Sequence, residues 1–79
     1  MVTVYTASWC AFCRAAKDYL TKLNVPFVEK DVEKEAEAGQ EAVAKSNQRG
    51  IPVIDIDDTI IVGFDRPKID AALVDKHYI

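Results

Sequence analysis

The chain has 79 residues, 49% of them hydrophobic, with 13 acidic and 10 basic side chains and a formal net charge of -3. That length suits one domain, 1–79, near the lower limit at which a hydrophobic core sustains a fold without staples. The acidic balance argues against nucleic acid, which wants a basic stripe, and no apolar run approaches the ~20 residues of a membrane span.

Val2 to Thr6 is β-branched and aromatic and reads as a strand. Met1 leads into it with no basic leader and no secretory apolar run, so a cytoplasmic location is expected. Ala7 and Ser8 form the turn that delivers Trp9-Cys10-Ala11-Phe12-Cys13, which holds both cysteines of the chain. A helix is predicted from about Cys10 to Leu23, because Cys13, Ala16, Leu20 and Leu23 recur at helical spacing while Arg14, Lys17, Asp18 and Lys22 take the other face. Asn24 is its expected C-terminal cap, and Pro26 prevents it from resuming.

Phe27 to Asp31 reads as a second strand, and Lys34 to Ser46 as a helix in which Gly39 costs ~1 kcal/mol relative to alanine. Asn47 to Gly50 is a loop. Val53 to Ile56 and Thr59 to Val62, separated only by Asp57-Asp58, are expected to pair as an antiparallel hairpin. Asp55 interrupts an aliphatic strand and is expected to face solvent. Gly63 ends the hairpin, Asp65 caps a last helix with Pro67 in its first turn, and Ile69, Ala72 and Leu73 form its apolar side. The order β-α-β-α-β-β-α makes this an α/β chain. Strands joined through a helix run parallel and a hairpin runs antiparallel, which gives a four-stranded mixed sheet with helices on both faces.

A cysteine in the first helical turn meets unpaired N–H groups and the positive end of the macrodipole, both of which favour a thiolate. Cys13, one turn on, can reach back and close a small disulfide. Lowering a thiol pKa by ~2 units raises the thiolate fraction but costs nearly ~10-fold in intrinsic nucleophilicity, so attack gains only severalfold. The larger gain is in leaving-group ability, which speeds release of a mixed disulfide. Cys10 is the expected nucleophile and Cys13 the resolving thiol. The alternative is an iron–sulfur or metal-binding module. Zinc wants about four protein ligands, and the single further candidate, His77, lies in the last helix or tail; iron would need a thiol from outside the chain. Trp9 and Phe12 are the expected substrate-contacting rim, and Arg14 and Lys17 either stabilise the thiolate or are solvated helix charges.

Tyr5-Thr6 before the cysteine pair, the Ile51-Pro52 step and Val62-Gly63-Phe64-Asp65 before the last helix together resemble the thioredoxin-fold glutaredoxins over essentially the whole chain. The YruB-type glutaredoxin-like proteins and the NrdH-redoxins, which supply electrons to ribonucleotide reductase, look nearest. The resemblance implies a thioredoxin-like fold and thiol–disulfide oxidoreductase activity. It also implies a cis Ile51-Pro52 peptide facing the cysteines, where the backbone of Ile51 pairs with an extended substrate. Arg49, Gly63, Phe64 and Asp65 match the segments that hold substrate, Arg49 and Asp65 taking the charged ends of glutathione. The pattern departs at Ala7, where a lysine is common, at Ala11, where proline is usual, and at Trp9, which is more like thioredoxin. By the same resemblance the protein is expected to be a monomer with no bound cofactor, acting on disulfide-containing protein substrates, with electrons from glutathione as co-substrate or from a thioredoxin reductase.

Overall fold

Four short strands lie side by side in the order β2-β1-β3-β4 in the computed structural model, which describes Met1–Ile79. The elements are β1 (Val2–Thr6), α1 (Ala11–Lys22), β2 (Val28–Asp31), α2 (Ala36–Ser46), β3 (Val53–Ile56), β4 (Thr59–Val62) and α3 (Arg66–Asp75). β1 and β2 are parallel, with Thr3 opposite Val28 and Thr6 opposite Asp31. β3 runs antiparallel to both β1 and β4, with Val4 opposite Ile54 and Ile54 opposite Ile61. The expected architecture is therefore the observed one, a thioredoxin-like fold.

The period-two alternation of the strands sorts the side chains onto two covered faces. Val2, Val4, Ile54, Ile56 and Ile61 meet Ala16 and Leu20 of α1 and Ile69, Ala72 and Leu73 of α3. Tyr5 and Val53 point the other way, onto Ala38 and Ala42 of α2. The ends of the elements carry their own stop signals. Asn24, at φ 59°, follows the Leu23 cap of α1, and the N–H groups of Asn24 and Val25 donate to the carbonyls of Thr21 and Leu20. These are the two bonds of a Schellman ending. Asp57 and Asp58, at φ 47° and 74°, make the hairpin turn in the left-handed region that suits the twist of the strands.

Three expectations need correction. β2 starts at Val28 rather than Phe27, whose side chain packs partly buried against the main core. α2 starts at Ala36 rather than Lys34, because the Asp31 carboxylate accepts the N–H groups of Glu33 and Lys34 and holds that stretch in a turn. Asp55 does not face solvent. β3 lies between two strands and beneath α2, so Asp55 is buried, only 7% exposed, with Lys45 Nζ 2.5 Å from one carboxylate oxygen and the Asp58 N–H on the other. A carboxylate on a covered face persists only with such partners.

Candidate active site

β1 ends at Thr6, and the chain turns through Ala7, Ser8 and Trp9 before α1 begins. The turn is closed by the Cys10 N–H donating to the Ala7 carbonyl at 3.2 Å. Cys10 is the N-cap of α1, one place earlier than the expected first turn, with extended backbone at φ -90° and ψ 110°. Its sulfur takes the part that a serine or aspartate oxygen plays elsewhere: the Cys13 N–H, at the third helical position, donates to Cys10 Sγ at 3.1 Å. The two cysteines form a disulfide with Cα atoms 5.2 Å apart. Cys13 is fully buried and Cys10 just reaches the surface, with Ala7, Val32 and Ile51 packed around them.

The residues around the sulfurs fall into two groups. On one side a cavity of about 350 Å³ opens over Cys10, lined by Ala7, Ser8, Trp9, Ala11, Arg14 and Lys17. Trp9 and Phe12 stand out from the surface at 70% and 67% exposure. Lys17 is paired with Glu29 at 2.8 Å, and the Lys17 ammonium, followed by the Thr6 hydroxyl, holds the Glu29 carboxyl below its ordinary range. Arg14 makes no ion pair and is the unpaired cation of the cavity. On the other side Ile51-Pro52 is cis, Ile51 touches the cysteine cluster, and the Pro52 carbonyl accepts the Gly63 N–H at 2.8 Å. That bond brings Gly63, at φ 80°, beside the proline.

The remaining expected site residues do not line the cavity over Cys10. Phe64 packs edge-on against Tyr19 with ring centroids 5.8 Å apart, and Tyr19 is held in turn by its hydroxyl on Asp70 and by the Arg66 guanidinium over its ring. The phenol of Tyr19 is pushed up, first by donating to the Asp70 carboxylate. Asp65 caps α3, accepting the Lys68 N–H at 3.3 Å. Arg49 is exposed in the loop before β3 with no hydrogen bond or ion pair, and neither Arg49 nor Asp65 lines the cavity over Cys10. His77 is exposed beyond α3, at φ 64°. No group of three His, Cys, Asp or Glu stands together, so a metal on these two sulfurs would draw further ligands from outside the chain.

Sequence reasoning missed Glu33. Its carboxylate accepts the Trp9 indole N–H at 2.9 Å and, on the other oxygen, the Ser8 hydroxyl and N–H at 3.1 and 3.3 Å. Nothing in the acidic stretch around it distinguishes it locally.

Residues 2–61 match the glutaredoxin family model. The chain belongs to the glutaredoxin family. A glutaredoxin-like 8.6 kDa protein encoded in the rubredoxin operon of Clostridium pasteurianum is 38% identical over 76 residues, 96% of this chain and all of that protein. Among solved structures, a thioredoxin-like protein superposes with a TM-score of 0.87 at 30% identity, covering 92% of this chain and 100% of the other. NrdH-redoxin from Escherichia coli, a glutaredoxin-like protein with a thioredoxin-like activity profile, gives 0.78 at 28% identity, covering 89% and 91% of the two chains. This glutaredoxin-family chain carries its Cys-x-x-Cys pair at disulfide distance at the start of α1. No helix is long and apolar enough to cross a membrane.

Proposed function

We propose that this chain is a dithiol–disulfide oxidoreductase that reduces disulfides in other proteins. The observation that carries the reading is the Cys10 sulfur at the N-cap of α1, receiving the Cys13 N–H while Cys13 lies behind it in the core. A donated N–H and the positive end of a helix both favour a sulfur anion over a thiol, and only the outer sulfur can be reached by a partner.

In the reduced form the Cys10 thiolate attacks one sulfur of the substrate disulfide. A mixed disulfide forms and the first substrate thiolate leaves. Cys13 then gives up its proton and attacks Cys10 Sγ, the second substrate thiol departs, and the protein keeps the Cys10–Cys13 disulfide. Two electrons have passed to the substrate, and an external thiol reductant must return them. Ile51 and Pro52, beside the cysteines, offer a backbone edge for an extended substrate, held by the Gly63 N–H on the Pro52 carbonyl, with Phe64 next along the chain. Trp9 and Phe12 offer apolar contact.

A thioredoxin reductase is the reductant this reading prefers over glutathione. Ala7 supplies no cation where the family often has a lysine, and the exposed Trp9 and Phe12 suit a protein face. The thioredoxin-like activity profile of the Escherichia coli NrdH-redoxin points the same way. The reading places the protein in the reducing cytoplasm, as a monomer, with no bound cofactor.

The test is a Cys13→Ser variant, which halts at the mixed disulfide and is expected to hold disulfide-bearing proteins covalently through Cys10 in cell extract. The Cys10 thiol is expected to titrate below the ordinary thiol value. Turnover of wild-type protein is expected with NADPH and a thioredoxin reductase; turnover with glutathione and glutathione reductase alone would reverse the choice of reductant. Bound metal or visible absorbance after anaerobic purification, with no reductase turnover, would replace the whole reading by a cluster-binding one.

A further inference from the structure

Trp9 is 70% exposed, yet its polar edge is not free. An exposed indole on a turn would ordinarily sample several rotamers, and ordering it costs free energy when a partner binds. Here the indole N–H is held at 2.9 Å by Glu33, and the same carboxylate takes both the hydroxyl and the backbone N–H of Ser8. Three donors from the two residues before Cys10 thus converge on one side chain from a distant part of the chain.

Glu33 is itself fixed. Its N–H donates to the Asp31 carboxylate at 2.8 Å, and the adjoining Val32 N–H donates to the Thr6 carbonyl at 2.9 Å, so the turn that carries it is pinned to the end of β1. The anchor and the segment it holds are tied to the same strand. Glu33 does not line the cavity over Cys10, whereas Ser8 and Trp9 do.

We propose that Glu33 is a positioning residue: by clamping Ser8 and Trp9 it holds the indole as a ready-made wall of the cavity over Cys10 and so sets a preference for protein disulfides over small ones. The inference rests on the protein being a dithiol–disulfide oxidoreductase. A protein substrate lays chain against that wall and benefits from its being ordered beforehand. A small disulfide needs only the sulfur and gains nothing from it. Glu33 touches neither substrate nor sulfur and acts only through the two residues it holds.

The experiment compares wild type, Glu33→Ala and Glu33→Gln, each pre-reduced, in reacting with insulin and with free cystine. Because Trp9 is the single tryptophan, fluorescence anisotropy reads the mobility of that indole and no other. In Glu33→Ala, anisotropy is expected to fall and the insulin concentration that half-saturates the single-turnover rate to rise ~3- to 10-fold, with the maximal single-turnover rate nearly constant, as for loss of a charge-assisted contact that acts on binding. Cystine kinetics are expected to stay as in wild type. Glu33→Gln keeps one acceptor oxygen but not the charge, and is expected to lie between the two. On a Trp9→Ala background, adding Glu33→Ala is expected to change insulin kinetics no further. Equal losses on insulin and cystine, an additive effect on that background, or an unchanged anisotropy would each overturn the proposal. Should wild-type protein reduce neither disulfide, the oxidoreductase reading fails, and with it the specificity role; the anisotropy then still decides whether Glu33 holds the indole.

Discussion

Asp55 and Lys45 are ten residues apart in sequence and meet only because α2 lies across β3. Lys45 also stands 5.4 Å from the centre of the Tyr5 ring, whose phenol donates to Glu41 at 3.0 Å. The Asp55 carboxylate first, and then the Tyr5 phenol, hold the Lys45 ammonium above its ordinary range. A lysine whose folded pKa is raised contributes fully below the unfolded value near 10.5, and the contribution is lost only as pH climbs through the higher folded one. At neutral pH the pair is therefore wholly in place. Removing one partner of a fully buried pair costs ~3–5 kcal/mol, but the Lys45 side chain is 36% exposed and water screens it. Lys45→Ala is accordingly expected to lower unfolding stability by ~1–3 kcal/mol in urea titrations at pH 7, since it strands a buried carboxylate. Asp55→Asn is expected to cost less, because the freed lysine can turn to water and the amide oxygen still accepts the Asp58 N–H. Equal costs for the two would contradict this asymmetry. The residue type of Asp55 gave no hint of Lys45; a carboxylate in a strand reads as a solvent-facing position until the helix that covers it is placed.

Each helix and turn was legible where its signal is local. The Asp57-Asp58 turn, the Asp65 cap with Pro67 behind it, and Asn24 past the end of α1 all work through atoms within a few residues, and each stands where the pattern put it. The start of α2 was not legible, because Lys34 and Glu35 are good helix formers and only the Asp31 carboxylate, by holding two N–H groups in a turn, delays the helix. Glu33 was hidden for the same kind of reason, since its partners lie 24 and 25 residues away. The cis Ile51-Pro52 peptide came from resemblance, not from propensity, because only ~5–6% of X-Pro bonds in folded proteins are cis. Gly39 and Gly63 carry opposite expectations. A Cβ at Gly39, inside α2, would sit 3.6 Å from the Val32 carbonyl, an ordinary contact, so Gly39→Ala is expected to stabilise by ~0.5–1 kcal/mol through helix propensity. At Gly63 the space is open but φ is 80°, so Gly63→Ala is expected to destabilise by ~1–2 kcal/mol through backbone strain alone. Both are read from the denaturation midpoint at constant m-value. A stabilised Gly63→Ala would show that this turn does not hold its left-handed conformation in solution.

Across the whole molecule, partly exposed carboxylates tie neighbouring elements together at the surface. Glu29 of β2 joins Lys17 of α1 and Thr6 of β1; Glu41 of α2 joins Lys30 of β2 and Tyr5 of β1; Asp57 of the hairpin turn joins the N-terminal ammonium and Tyr78. All three carboxyls are held below their ordinary values, Glu29 first by Lys17, Glu41 first by Lys30 and Asp57 first by the terminal ammonium. A depressed carboxyl contributes stability that is complete above its unfolded pKa and is lost as pH falls through the folded one. Stability is therefore expected to be nearly level from about pH 7 to about pH 5 and to decline below about pH 4.5, where the unfolded chain begins to bind protons that the folded one refuses. Net charge adds to this only at the acid end, since the chain passes through neutrality near its pI of about 5.0 and becomes self-repelling below it. The side chains of Glu29 and Glu41 are each 41% exposed, so the decline is gradual, and added salt is expected to shrink it by screening the pairs. In a Glu29→Gln, Glu41→Gln double variant, urea midpoints measured across the same range should start lower at neutral pH and fall less steeply in acid. If the variant keeps the full acid slope of the wild type, these two carboxylates are not what couples folding to pH, and Asp57 or self-repulsion below the pI must carry the effect.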